Sequence, residues 1–211
     1  MSLADLWCCA PVPCLPSLQV QEGVDVILAT MPKNSAAAGG LSREEEVDAL
    51  CAELLAKMPA VFEAETTREK LKKLGLTQPL TIHLRQEVDR LSAVMRLTSA
   101  TLANLRLAIA GTIALSDELV EALEALHNGR VPRKLAKVSW AASGLGSWFA
   151  SLLTRHDQLW RWLNSGRPRS FLLPAFFNVQ GFLTAVRQEV TRKHAADKWA
   201  LVSWWGWVGG D

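Results

Sequence analysis

The chain has 211 residues, 49% of them apolar and 21% charged, which is ordinary globular composition and not that of a disordered protein. A formal net charge of +2, with bases interleaved among acids, excludes the basic stripe of a nucleic-acid or membrane-surface binder. No apolar run reaches the length of a membrane span, and Met1 to Val20 carries Asp5 but no Lys or Arg, unlike a secretory leader, so an intracellular protein with no nucleic-acid or membrane partner is expected.

In chain order, residues 1–22 hold Pro11, Pro13 and Pro16 without a sustained period and read as an irregular leader. Residues 23–41 combine a short strand or buried turn at Val24, Val26, Ile27 and Leu28 with a small-residue linker. Cys8, Cys9 and Cys14 have no knuckle spacing and no downstream Cys/His pair, and Cys51 falls within a helical pattern, so free thiols and no metal site are expected.

Helical patterns follow. Ser42-Arg43-Glu44-Glu45 is a capping box, in which the Ser oxygen accepts from the Glu45 N–H while the Glu side chain reaches back. It opens a helix with Val47, Leu50, Cys51, Leu54, Leu55 and Met58 on one face, closed by Pro59. Thr66 to Leu74 predicts a short charged helix ended by Gly75. From Leu80 to Ala110, Leu84, Val88, Leu91, Met95, Thr98, Leu102, Leu105 and Ile109 recur at three and four, giving one long amphipathic helix. Arg85, Glu87, Asp89, Arg90, Arg96 and Arg106 are expected off that stripe, with Arg85 bracing Asp89 and Glu87 bracing Arg90 on a solvated face.

Ser116-Asp117-Glu118 caps a helix through Leu119, Leu123 and Leu126 that stops at Asn128-Gly129. Lys134 to Trp140 reads as a basic connection. Gly144 to Leu163 is helical, with Leu145, Trp148, Phe149, Leu152, Leu159 and Leu163 as its stripe. Ser170 to Phe177, broken by Pro174, fits a buried loop or a short extended piece. Asn178 caps a last helix to about His194 with Phe182, Leu183, Val186 and Val190 inward, and 199–211 is a Trp- and Gly-rich tail.

The chemistry that these residues offer is thin. No phosphate-cradling G-x-x-x-x-G-K-[ST] occurs, Gly144-Leu145-Gly146 lacks a third glycine, and His83, His127, His156 and His194 sit on different elements. Ser139, Ser143 and Ser147 lie outside any G-x-S-x-G. Arg187, Glu189 and Arg192 read as another solvated brace. No catalytic, cofactor-binding or metal-binding residue is therefore expected, and no cofactor. Nine Trp against no Tyr directs attention to the aromatics instead, because Trp suits cores and interfaces. Core packing is their default use. Trp140, Trp148, Phe149, Phe176, Phe177 and Phe182 are the candidate packing or interface positions.

These strings resemble the C-terminal region of dynein heavy chains, most closely those of axonemal outer arms. The resemblance starts at Val24-Asp25-Val26-Ile27-Leu28, passes through the Ser42 helix start, and strengthens at Leu84-Arg85-Gln86-Glu87-Val88-Asp89-Arg90-Leu91. It continues at Gly111-Thr112-Ile113 and Lys137-Val138-Ser139-Trp140, then Trp148-Phe149, Leu152-Leu153 and Gly166-Arg167-Pro168. Its most extended part runs from Phe176-Phe177-Asn178-Val179-Gln180-Gly181-Phe182 to Arg192, and coverage is roughly residues 24 to 201.

The resemblance implies a mainly α fold, an irregular multi-helix bundle over 42–198 attached to the sixth AAA+ module of a motor ring. It implies a non-catalytic segment of a microtubule-based ciliary or flagellar motor, located at the axoneme, with the AAA+ ring and dynein accessory chains as partners and microtubules touched only indirectly. ATP hydrolysis would belong to other modules. Val179 stands where axonemal relatives commonly have Pro. The tail 202–211 departs from the family, the β-containing portion expected next is missing, and a truncated fragment is expected. The alternative is a stand-alone helical adaptor derived from such a block, presenting the amphipathic helices at 42–58 and 80–110 to partners.

Overall fold

The computed structural model describes residues 42–194. The leader, the 23–41 segment with its expected strand or turn, Cys8, Cys9, Cys14 and the 199–211 tail lie outside the described residues. Within them the fold is helical, with seven α-helices, one 3-10 turn and no strand. No helix there is long and apolar enough to cross a membrane.

The first helix, α1 (Arg43–Lys57), starts where the capping box places it: Glu45 N–H donates to Ser42 Oγ at 3.3 Å and Ser42 N–H to Glu45 Oε2 at 2.7 Å. Its buried face is Val47, Cys51 and Leu54. Helix α2 (Ala64–Leu74) begins two residues before the expected start and ends at Gly75, whose φ of 91° suits a residue without Cβ.

Helix α3 (Pro79–Ile109) is a single uninterrupted element of 31 residues. At 1.5 Å per residue it is roughly 46 Å long. Proline at its first position is tolerated because that N–H has no intrahelical acceptor. Leu84, Val88, Leu91, Met95, Leu102 and Leu105 are almost fully buried, each contributing about 1.5–3 kcal/mol by leaving water. The buried hydroxyls of Ser92 and Thr98 donate to the carbonyls of Val88 (2.7 Å) and Val94 (2.8 Å) one turn earlier, so neither is left unsatisfied.

Helix α3 and helix α4 (Asp117–His127) stop in the same way. Gly111 (φ 73°) and Gly129 (φ 64°) adopt left-handed backbone just past each helix. The next residue then donates back, Thr112 to Leu107 O at 2.9 Å and Arg130 to Ala125 O at 2.7 Å. Ser116 holds the N-cap position of α4, but its side chain makes no cap hydrogen bond.

The basic connection expected at 134–140 contains one helical turn, α5 (Arg133–Ala136). Helix α6 (Leu145–Ser165) is tied at its start to the end of α4 by Leu145 N–H to Gly129 O at 2.8 Å. The apolar 170–177 segment forms a 3-10 turn at Leu173–Ala175. Helix α7 (Val179–Lys193) starts at Asn178, whose Oδ1 accepts from Gly181 N–H at 2.8 Å. Val179 is thus the first helical residue, a position where proline and valine both serve.

Helix α3 packs against every other α-helix among the described residues, and the apolar core forms around it. Three expectations change. Glu87 is 1% exposed and not solvated. Neither Arg85 with Asp89 nor Glu87 with Arg90 is among the ion pairs of the described residues. Leu183 and Val190 face outward, because α7 buries only the stripe of Phe182 and Ala185 against the block. The brace expected at Glu189 is made with Arg167 (2.8 Å) and Lys193 (3.1 Å), while Arg192 donates to Thr77 O at 3.0 Å.

Candidate functional site

The candidate aromatics converge on the junction of α3, α6 and the 171–178 segment. Trp148, Phe149, Phe176 and Phe182 are buried, and Trp140 and Phe177 are half-buried against them. Trp140 stacks on Trp148 with centroids 5.5 Å apart, and Phe177 meets Trp140 edge-on at 5.7 Å. A second group joins Phe176 and Phe182 at 4.7 Å to Phe171 and Trp162. Among the described aromatics, Trp160 alone is openly exposed, at 49%. All six candidates are thus at least half-buried within the block.

Two buried charges stand among the rings. Glu87, on α3, accepts from Phe177 N–H at 2.7 Å and from Asn178 N–H at 3.0 Å. Both are backbone donors at the mouth of α7, where a carboxylate also meets the positive end of the helix dipole. Arg155, on α6, is 5% exposed; its Nη2 donates to Pro174 O at 2.8 Å and its Nε to Ser151 Oγ at 3.3 Å. Its guanidinium lies 4.3 Å from the Trp140 ring centroid and 5.2 Å from that of Phe177. Burial pushes the Arg155 pKa down and the nearby Glu87 charge pushes it back up. Arg155 Nη1 and Trp140 Nε1 are buried donors without a partner.

His83 is 3% exposed and packs edge-on to Phe176 at 5.2 Å. Its Nε2 lies 4.0 Å from Glu87 Oε1, beyond hydrogen-bond reach. Burial lowers its pKa and the Glu87 carboxylate opposes that shift. With desolvation the larger effect, His83 is neutral near pH 7, so the pair is not a salt bridge.

The candidate nucleophiles are committed elsewhere. Ser139 Oγ donates to Leu135 O at 2.7 Å and accepts from Trp148 Nε1 at 2.9 Å. Ser143 and Ser147 hydrogen-bond each other at 3.1 Å at the start of α6. Among the described residues no group of three or more His, Cys, Asp or Glu is placed to hold a metal ion. What the arrangement does chemically is fix the 171–178 segment and the start of α7 onto α3 and α6.

Sequence reasoning set Glu87 on a solvated face and did not single out Arg155, yet each left a signal. Glu87 lies three residues after Leu84 and four before Leu91, and Arg155 lies three after Leu152 and four before Leu159. Both are charges standing inside an apolar stripe, where the helical period turns them inward.

Comparison with known proteins places this helical block. The family model of the C-terminal domain of dynein heavy chains matches residues 18–203. The chain is 58% identical over 187 residues, 88% of its length, to the dynein gamma chain of the flagellar outer arm of Chlamydomonas reinhardtii. It is 43% identical over 181 residues (86% of its length) to dynein axonemal heavy chain 5 of Mus musculus. With dynein axonemal heavy chain 8 of Homo sapiens the identity is 41% over 178 residues, or 84% of the chain. The chain spans 4% of the length of each of these relatives. By the extent of the family match, it belongs to the family of C-terminal domains of dynein heavy chains.

Proposed function

We propose that this protein is the non-catalytic C-terminal segment of an axonemal dynein heavy chain, packing as one helical body against the AAA+ ring of a flagellar microtubule motor. The observation that carries the reading is the 58% identity to a flagellar outer-arm heavy chain along 88% of its length. The burial of Glu87, Arg155 and the aromatic cluster supports it, because those groups are spent on holding α3, α6 and α7 together. ATP hydrolysis then belongs to other modules of the heavy chain. The partners are the ring and the accessory chains of the dynein complex, the place is the axoneme, and microtubules are reached only through the rest of the motor.

The test mixes the purified protein with a heavy-chain motor whose own C-terminal domain has been removed. The expected result is stoichiometric association, with no ATP binding by the protein alone. Absence of association overturns the ring-packing reading. Recovery of other ciliary proteins without any heavy chain would instead support the stand-alone adaptor.

A further inference from the structure

Beyond α6 the chain is braced along its own length. Gly166, at a left-handed φ of 83° with open space around it, ends α6 and begins the segment 167–193. Arg167, at the front of that segment, pairs with Glu189 on α7 at 2.8 Å. Phe182 on α7 meets Phe171 at 4.9 Å and stacks on Phe176 at 4.7 Å. These contacts fasten the front of the segment to α7, so the two move at least cost together.

Its ties to the rest of the block differ in kind. Among the described residues no backbone–backbone hydrogen bond joins 167–193 to what precedes it. The polar ties use side chains instead. The Gln158 amide accepts from Leu172 N–H at 2.7 Å and donates to its carbonyl at 3.4 Å, and Arg155 donates to Pro174 O. Glu87 accepts from Phe177 and Asn178, and Arg192 donates to Thr77 O. Phe171 and Phe176 complete the seat against Trp162 at 4.8 Å and His83 at 5.2 Å. Such ties can release while the hydrogen-bond ladders of α3 and α6 stay whole.

The largest remaining contact of α3 lies away from this seat. Helix α7 packs beside the first half of α3, where Thr77, His83 and Glu87 meet the segment. Helix α1 packs beside the second half, through Asp48 with Arg106 at 2.7 Å and Met58 with Ser99 at 3.1 Å. Departure of 167–193 therefore leaves the α1–α3 packing in place, which is the condition for an opening smaller than unfolding.

We propose that residues 167–193 form a latched strap that opens as one cooperative unit, hinged at Gly166 and latched by Glu87, at less cost than global unfolding. Opening bares His83, Glu87 and Trp162, each at most 3% exposed when the strap is closed. None of these contacts depends on the ring-packing reading.

Hydrogen exchange of the full 211-residue protein, followed by mass spectrometry through a urea series, tests this. Amides of the strap should share one opening free energy, lower and less urea-dependent than that of the slowest α3 amides. The two should merge only near unfolding, and this measurement needs no variant. Two substitutions then separate local from global opening. Val47→Ala truncates a side chain 1% exposed on α1. It should speed exchange of the slowest α3 amides by about tenfold and leave 167–193 within about twofold. Glu87→Gln should speed exchange in 167–193 by about tenfold. Strap amides that track α3 through the urea series, that scatter independently, or that accelerate with Val47→Ala as α3 does overturn the proposal. So does exchange in 167–193 unmoved by Glu87→Gln.

Discussion

Glu87 reaches across 90 positions of the sequence to accept the Phe177 N–H at 2.7 Å, so a carboxylate on α3 sets where α7 begins. Removing it leaves the part-buried N–H groups of Phe177 and Asn178 without their acceptor and takes a nearby opposite charge from the buried Arg155. Glu87→Ala should therefore lower stability by about 3–5 kcal/mol, as the loss of two hydrogen bonds to a charged acceptor implies. Glu87→Gln keeps the shape but gives up the charge and one acceptor, and should cost about 1–3 kcal/mol. Urea-unfolding midpoints of the two variants measure this, and a midpoint unchanged in Glu87→Ala would falsify the clamp.

Stability should also fall on mild acidification. Burial lowers the pKa of His83, opposed by Glu87, and that of His156, opposed by its contact with Ala60 O and by Asp157. His83 is faced by Glu87 and by the Phe176 and Phe182 rings; His156 lies against the Phe62 ring. The unfolded state takes up these protons as pH falls through about 6.5, while the folded state does so only at lower pH. The stability held above about 6.5 is consequently lost as pH drops toward the lowered folded values. Urea titrations between pH 8 and 5 should show this slope, and His83→Gln with His156→Gln should flatten it. A double variant as steep as the parent would place the titration elsewhere.

At the start of α7, Asn178 and Gly181 form a coupled pair. A Cβ at Gly181 would come within 2.6 Å of Asn178 Nδ2, displacing the side chain that caps the helix. Gly181→Ala alone loses a cap of about 1 kcal/mol and gains about as much helix propensity, for a net effect near zero. In an Asn178→Ala background nothing remains to displace, and the same change should stabilise by about 0.5–1 kcal/mol. A double-mutant cycle of thermal melts reads the difference, and strict additivity would show that the two residues do not interact.

Cys51 is fully buried, and burial, aided by Asp48 and opposed by Arg106, pushes its thiol pKa up to about 12. Its thiolate fraction at pH 8 is then on the order of one in ten thousand. In a variant with Cys8, Cys9 and Cys14 replaced by Ser, iodoacetamide at pH 8 should leave the folded protein unlabelled and modify it fully in denaturant. Rapid labelling of the native protein would contradict this burial.

Local signals carried most of the fold. The Ser42 box, the long period through α3, the Asn128-Gly129 stop and the Asn178 cap each name their own hydrogen bonds, so the sequence places them within a residue or two. Reasoning by residue class failed at Glu87 and left Arg155 unread, since charge suggests solvent but helical period decides direction. It failed in the opposite sense at Leu183 and Val190, because an apolar side chain turns inward only if a neighbour covers that face. The packing of Trp140 and Phe177 on the Arg155 guanidinium was not legible, because it comes from contacts between α6 and distant loops. Ser116 shows that a capping residue in the right place need not make its bond.

The continuity of α3 has a mechanical consequence. A shaft of roughly 46 Å that touches every other described helix has no internal joint, because its hydrogen-bond ladder runs unbroken from Pro79 to Ile109. A push at the Thr112 end meets no break in the ladder before the Thr77 end where a kink would form. A load applied to one face of the block therefore has a continuous path through α3 to the helices on the other faces.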